Sequence, residues 1–241
     1  MRYLSTRSKN YTATASEAIL SGIAPDGGLY VPESFPQINF GAWNQYSYRE
    51  IAEKIFSLFL TDYSPAAIRR IVKESYADNF DCPEITPLHW LDEDTAVLEL
   101  WHGPTLAFKD LALQCLPNLF EEAKRILQIE ERFLILTATS GDTGKAAMSG
   151  FSGKDGTLVA VFYPNNGVST FQERQMLTTT SPNVRAFAME GNFDDCQRSV
   201  KALMRDESFL AKLKKQSIRL TSANSINIGR LIPQMVYYIY A

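Results

Sequence analysis

Apolar positions along this chain recur with two different spacings, and the change of spacing marks out the elements. Ser47-Tyr-Arg-Glu50 has the form of a capping box, and Ile51, Ile55, Leu58 and Phe59 continue on one helical face. Ser64-Pro65 predicts a second helix start, followed by Ile68, Ile71 and Val72 on the buried side. Before these, residues 3–14 read as extended, and Ser16 as the cap of a short helix ending at Gly22. Pro25-Asp-Gly-Gly28 then reads as a tight turn leading into a short strand over 29–32. Two prolines in Asp81-Cys-Pro-Glu-Ile-Thr-Pro87 suggest a boundary. The pattern thus predicts a mainly helical amino-terminal domain over residues 1–85 and a second domain over 86–241.

Beyond that boundary, short apolar runs at 96–100, 133–137, 158–163, 184–188 and 218–221 read as strands. Helical stretches at about 144–151, 170–179, 193–205 and 226–241 follow the last four. Such alternation predicts βαβ units, a parallel sheet and an α/β fold. One further helix opens after Lys109, with Leu111, Ala112, Cys115, Leu116, Leu119, Phe120 and Ala123 along one stripe; Pro117 inside it predicts a kink. The carboxyl ends of parallel strands share one edge, where open α/β sheets bind ligands. Two polar turns fall at such ends, Ser140-Gly-Asp-Thr-Gly144 and Asn224 to Arg230, and each opens a helix whose free N–H groups suit an anion. Asn224 and Ser225 serve equally well, on this pattern, as plain helix caps.

Lys109 is the candidate for chemistry. It lies between Phe108 and the apolar stripe, in Trp101-His-Gly-Pro-Thr-Leu-Ala-Phe-Lys109-Asp110, where it either reaches out to water beside Asp110 or is desolvated for nucleophilic work. His102 and Thr105 line the same turn, as contacts to a ligand or as braces. A nucleotide P-loop at the second turn fails twice: Thr139 stands where its first glycine belongs and Ala146 where its hydroxyl residue belongs. Asp142 is awkward beside an anion, so its side chain is expected to turn away or to cap the helix.

Composition narrows the classes. Hydrophobic residues at 45% and charged residues at 21% suit a globular chain, and a net charge of −3 offers no footprint for nucleic acid or an anionic membrane. Cys82, Cys115 and Cys196 are far apart, odd in number and without ligand spacing, which predicts reduced thiols and a cytoplasmic protein. With His89 and His102 as the two histidines, no metal site is expected. No run reaches the ~20 apolar residues of a membrane span.

The two polar turns together resemble the threonine synthases, pyridoxal-phosphate enzymes of the tryptophan-synthase-β-like fold (fold type II). His102-Gly-Pro-Thr-Leu-Ala-Phe-Lys109-Asp110 is similar to that family's cofactor-lysine signature, and Ser140-Gly-Asp-Thr-Gly144 to its substrate-carboxylate loop. Tyr3-Leu-Ser-Thr-Arg7, Ala24-Pro-Asp-Gly-Gly-Leu-Tyr-Val-Pro32 and Ser222-Ala-Asn-Ser-Ile-Asn-Ile-Gly-Arg230 fit the same family. The resemblance implies pyridoxal 5′-phosphate held covalently by Lys109, the catalytic and cofactor-binding residue. It implies O-phosphohomoserine as substrate, threonine and phosphate as products. Ser140, Gly141, Asp142, Thr143 and Gly144 would then position the substrate carboxylate, and Thr143, Asn224, Ser225 and Arg230 would grip its phosphate.

A phospholyase or a serine/threonine dehydratase of the same fold, or a catalytically silent association domain, are the rival readings. Family members also carry, past the position of Ala241, a glycine-rich phosphate loop and a partner for the pyridine nitrogen. The chain is therefore expected to be the amino-terminal part of a longer enzyme, with the catalytic fold incomplete. Alone it is expected to hold cofactor weakly, to be inactive, and to self-associate through apolar surface near Leu231, Ile232, Val236 and Ile239.

Overall fold

The computed structural model describes residues 1–241, apart from the side chain of Phe40. Strands β1 (Tyr3–Ser5), β2 (Thr12–Ala13) and, after helix α1 (Ala15–Ser21), β3 (Tyr30–Pro32) form an antiparallel sheet in the order β2-β1-β3. The cap of α1 is Thr14 rather than Ser16. The Thr14 hydroxyl accepts from the Glu17 amide, and the Glu17 carboxylate accepts from the Thr14 amide. Ser16 lies buried inside the first turn, where its amide donates to Asp62. Helices α2 (Tyr48–Phe59) and α3 (Pro65–Ser75) start as their sequences predict, on the Ser47 capping box and on Ser64 with proline in the first turn.

A hairpin, β4 (Leu88–Trp90) and β5 (Ala96–Leu98), delivers the lysine turn; it pairs antiparallel with itself and stands apart from the main sheet. Instead of one kinked helix after Lys109 there are two, α4 (Asp110–Leu113) and α5 (Leu116–Ile126). Proline has no amide to donate, so the chain restarts with Pro117 in the first turn of α5, where no donor is needed.

The βαβ region follows as β6 (Arg132–Ala138), α6 (Asp142–Phe151), β7 (Thr157–Pro164), α7 (Thr170–Leu177), β8 (Val184–Met189), α8 (Phe193–Leu203), α9 (Glu207–Lys215), β9 (Ile218–Ser222) and α10 (Ile228–Tyr240). Each predicted strand from 133 onward is present, and all four pair in parallel in the order β8-β7-β6-β9. Helix α9, capped by Asp206, is an element that the periodicity missed, because most of its positions stay in water. The chain steps outward from β6 to β7 to β8, then returns past them to lay β9 on the other side of β6. The strand order therefore reverses between β6 and β9, the position at whose carboxyl edge open α/β sheets bind ligands.

Alternate residues of β6 face two layers. Phe133 and Ile135 join the main core with α1, α5, α6 and α10, while Leu136 and Ala138 meet Cys196 and Val200 of α8. That main core is continuous from Tyr3 to Tyr237, so residues on both sides of the predicted boundary share it. The apolar face expected to be bare at the end of the chain is largely covered: Ile232 and Val236 are fully buried, because α10 packs on α2 and α4, and Leu231 and Tyr238 remain exposed.

Candidate active site

The lysine turn is braced from within. Asp110, fully buried, accepts from the Thr105 amide at 2.8 Å and from the Thr105 hydroxyl at 2.7 Å. Gly103 lets the loop close over this carboxylate, since a Cβ there would fall 2.4 Å from that of Asp110. Burial pushes the Asp110 carboxyl up, against the hydrogen bonds from Thr105 and Ala107. His102 is a brace as well: Nδ1 meets Asp81 at 2.5 Å and Nε2 meets Glu99 at 2.7 Å. Burial would lower its pKa, but the hydrogen bonds and charges of Glu99 and Asp81 overcome that and raise it. Both ring nitrogens and Thr105 are thus spent on the loop, and Asp110 is not the partner of Lys109.

Lys109 points instead at the second turn. Its Nζ lies 3.4 Å from Oδ2 of Asp142, with the side chain 21% exposed. Asp142 does not cap α6. The cap position is Gly141, and the hydroxyl of buried Thr139 accepts from the amides of Gly141 and Gly144, both at 2.9 Å. Asp142 is free to receive Lys109 on one oxygen, and Lys145 Nζ at 3.3 Å and Gln172 Nε2 at 2.9 Å on the other. Burial would raise its carboxyl pKa, but Gln172 and the two ammonium groups outweigh it and hold it below the usual range. At Gly141, with φ 132, a Cβ would fall 2.3 Å from the Gln172 side chain.

Sequence reading placed Lys109 and the 140–144 turn together, and missed Thr139, Lys145 and Gln172. Ser169-Thr-Phe-Gln172 signals a helix start, and Gln172 does close that box with the Ser169 amide. Nothing local signals that the same side chain reaches Asp142.

The third turn joins the same edge. Asn224 Nδ2 donates to the carbonyl of Ala138 at 3.1 Å, tying the end of β9 to the end of β6. Neither Asn224 nor Ser225 caps α10. That role falls to Asn227, whose side chain accepts from Gly229 and donates to Ile19 and Ser222. Ser140 and Ser225 are exposed, and Asn224 and Thr143 are half-buried. Arg230 is 3% exposed, yet its one recorded hydrogen bond runs to the Ala223 carbonyl and its Nε has no partner. Desolvation draws the guanidinium down to about 10, against the opposing influence of Tyr237. Among the described residues, the amides of Asp142 and Thr143 at the start of α6 also lack acceptors.

Lone amides at a helix start and a buried guanidinium without a carboxylate each suit an anion such as a phosphate or a carboxylate, and the amine aimed at the first of them suits a carbonyl compound such as pyridoxal phosphate. Among the described residues no group of side chains could hold a metal ion, and no helix is long and apolar enough to cross a membrane.

Comparison with known proteins places the chain by sequence and by fold. The family domain described as threonine synthase N terminus matches residues 2–76. The threonine synthase of Schizosaccharomyces pombe is 41% identical across 99% of this chain and 48% of its own length. That of Pseudomonas aeruginosa is 42% identical across 100% of this chain and 50% of its own. The crystal structure of PLP-bound threonine synthase from Brucella melitensis superposes with a TM-score of 0.87 at 42% identity, over 99% of this chain and 51% of that one. The chain spans about half the length of these relatives. In sequence and in fold, over its whole length, it is a homologue of the threonine synthases.

Proposed function

We propose that the protein carrying these residues is a pyridoxal-phosphate-dependent threonine synthase, a carbon–oxygen lyase that converts O-phosphohomoserine and water to threonine and phosphate in the cytoplasm. In this reading residues 86–241 contribute the reacting groups and residues 1–85 form the amino-terminal domain of the family type. The observation that carries it is the Lys109 ammonium aimed at the 140–144 turn, 3.4 Å from Asp142 at the carboxyl end of β6.

Bound cofactor supplies an electron sink for the substrate carbons next to the amine. The chain supplies the rest. Lys109 Nζ would hold the cofactor through its aldehyde carbon, and the same amine would move protons at Cα and Cβ of the substrate. Ser140, Gly141, Asp142, Thr143 and Gly144 form the turn that orients the substrate carboxylate, through the free amides of Asp142 and Thr143 and the hydroxyls of Ser140 and Thr143, while Thr139 holds the amides of Gly141 and Gly144. Asn224, Ser225 and Arg230, with Thr143, take the substrate phosphate; the unsatisfied Nε of Arg230 supports that role.

Borohydride reduction of the whole protein should fix a pyridoxyl group on Lys109, read by peptide mapping. Label on another lysine, Lys145 included, would sink the assignment. In the whole protein, Lys109→Ala should abolish threonine formation while circular dichroism stays unchanged.

A further inference from the structure

Asp142 serves two ammonium groups at once. Lys109 reaches Oδ2 from the lysine turn, and Lys145 reaches Oδ1 from one turn further along α6 itself. Among the described residues, no other carboxylate lies within ion-pair distance of either amine. Asp110 on α4 feels the charge of Lys145 but spends its oxygens on Thr105, and Glu173 on α7 is engaged by the hydroxyl of Tyr163. Gln172 on α7 is neutral. The cluster therefore holds two cations and one anion.

An amine attacks a carbonyl carbon only when it has lost its proton. If Asp142 belonged to Lys109 alone, that loss would strand a half-buried carboxylate with one amide for company. Lys145 removes the difficulty. Its side chain is 5% exposed and its Nζ also lies over the Phe171 ring, so it keeps a fixed seat on Asp142 whatever Lys109 does. We propose that Lys145 is a positioning residue for Lys109: by sharing Asp142 it keeps that carboxylate compensated and in place, and lets Lys109 give up its proton to react. The inference rests on the reading of Lys109 as the reacting amine.

The test is trace acetylation of the chain with acetic anhydride over a pH series, reading the Lys109 peptide against exposed Lys9 by mass spectrometry. Lys145→Met gives Asp142 to Lys109 alone, so half-maximal labelling of Lys109 should move to higher pH by about one unit, a tenfold loss of free amine at a fixed pH. Lys145→Arg should restore the original profile. Asp142→Asn leaves two cations with no anion between them and should move the profile to lower pH, an arm that stands even if Lys145→Met fails to fold. An unmoved profile in folded Lys145→Met, or an upward shift in Asp142→Asn, would overturn the inference. Borohydride labelling at another lysine would overturn instead the role of Lys109, and would leave these acetylation profiles untouched.

Discussion

Arg230 is the residue whose surroundings are most out of balance. A guanidinium carries five donors, and one recorded bond to a carbonyl leaves this one under-satisfied in a buried seat. Such a charge is a cost to the fold unless an anion arrives to offset it. Arg230→Met should therefore raise the urea midpoint of the chain, by the equivalent of about 1–4 kcal/mol, while weakening capture of a phosphorylated substrate. Arg230→Lys should weaken that capture by about 1–3 kcal/mol, seen as a raised KM in the whole protein, because a point charge cannot replace a fork. An unchanged KM, or a Met variant less stable than the parent, would make Arg230 a structural prop. Asp142 shows the same logic in reverse: its charge is held by three donors, which makes a carboxylate compatible with the anion site proposed at this turn.

Elements here are held in register by single side chains. Asn227 caps α10 and also ties it to α1 through the Ile19 carbonyl and to β9 through the Ser222 carbonyl. These bonds are buried, so Asn227→Ala leaves a donor and two acceptors without partners and should cost about 2–4 kcal/mol in urea unfolding. Thr14→Ala, which removes the exposed cap of α1, should cost about 1 kcal/mol. Equal losses from the two would contradict the latch role of Asn227. The approach of α4 to α6 is similarly specific: at Gly150 a Cβ would fall 1.9 Å from the Leu113 carbonyl, and this close packing brings Lys109 within reach of Asp142.

On the scale of the whole molecule, a core running from Tyr3 to Tyr237 couples the amino-terminal helices to the parallel sheet. Amides of Ile55 in α2 and Ile135 in β6 should therefore exchange through the same global opening, with free energies within about 1 kcal/mol of each other. Two well-separated values would make the boundary near residue 85 an energetic one. Sequence by itself determined the α/β class, the four parallel strands, the capping of α2 and α3, and the two turns around Lys109 and Ser140. These are legible because strand runs, caps and glycine turns are set by residues a few positions apart. It also marked Asn224 and Arg230, through resemblance, without separating a cap from a ligand. Tertiary structure alone decided that Asn227 is the cap, that Asp110 pairs with Thr105 and His102 with Asp81 and Glu99, and that Ile232 and Val236 are covered. It alone brought Lys145 and Gln172 onto Asp142. The Gln172 contact joins α7 to α6 across 30 residues, and a half-buried side chain such as this chooses its partner by which elements pack together, a choice that no local pattern records.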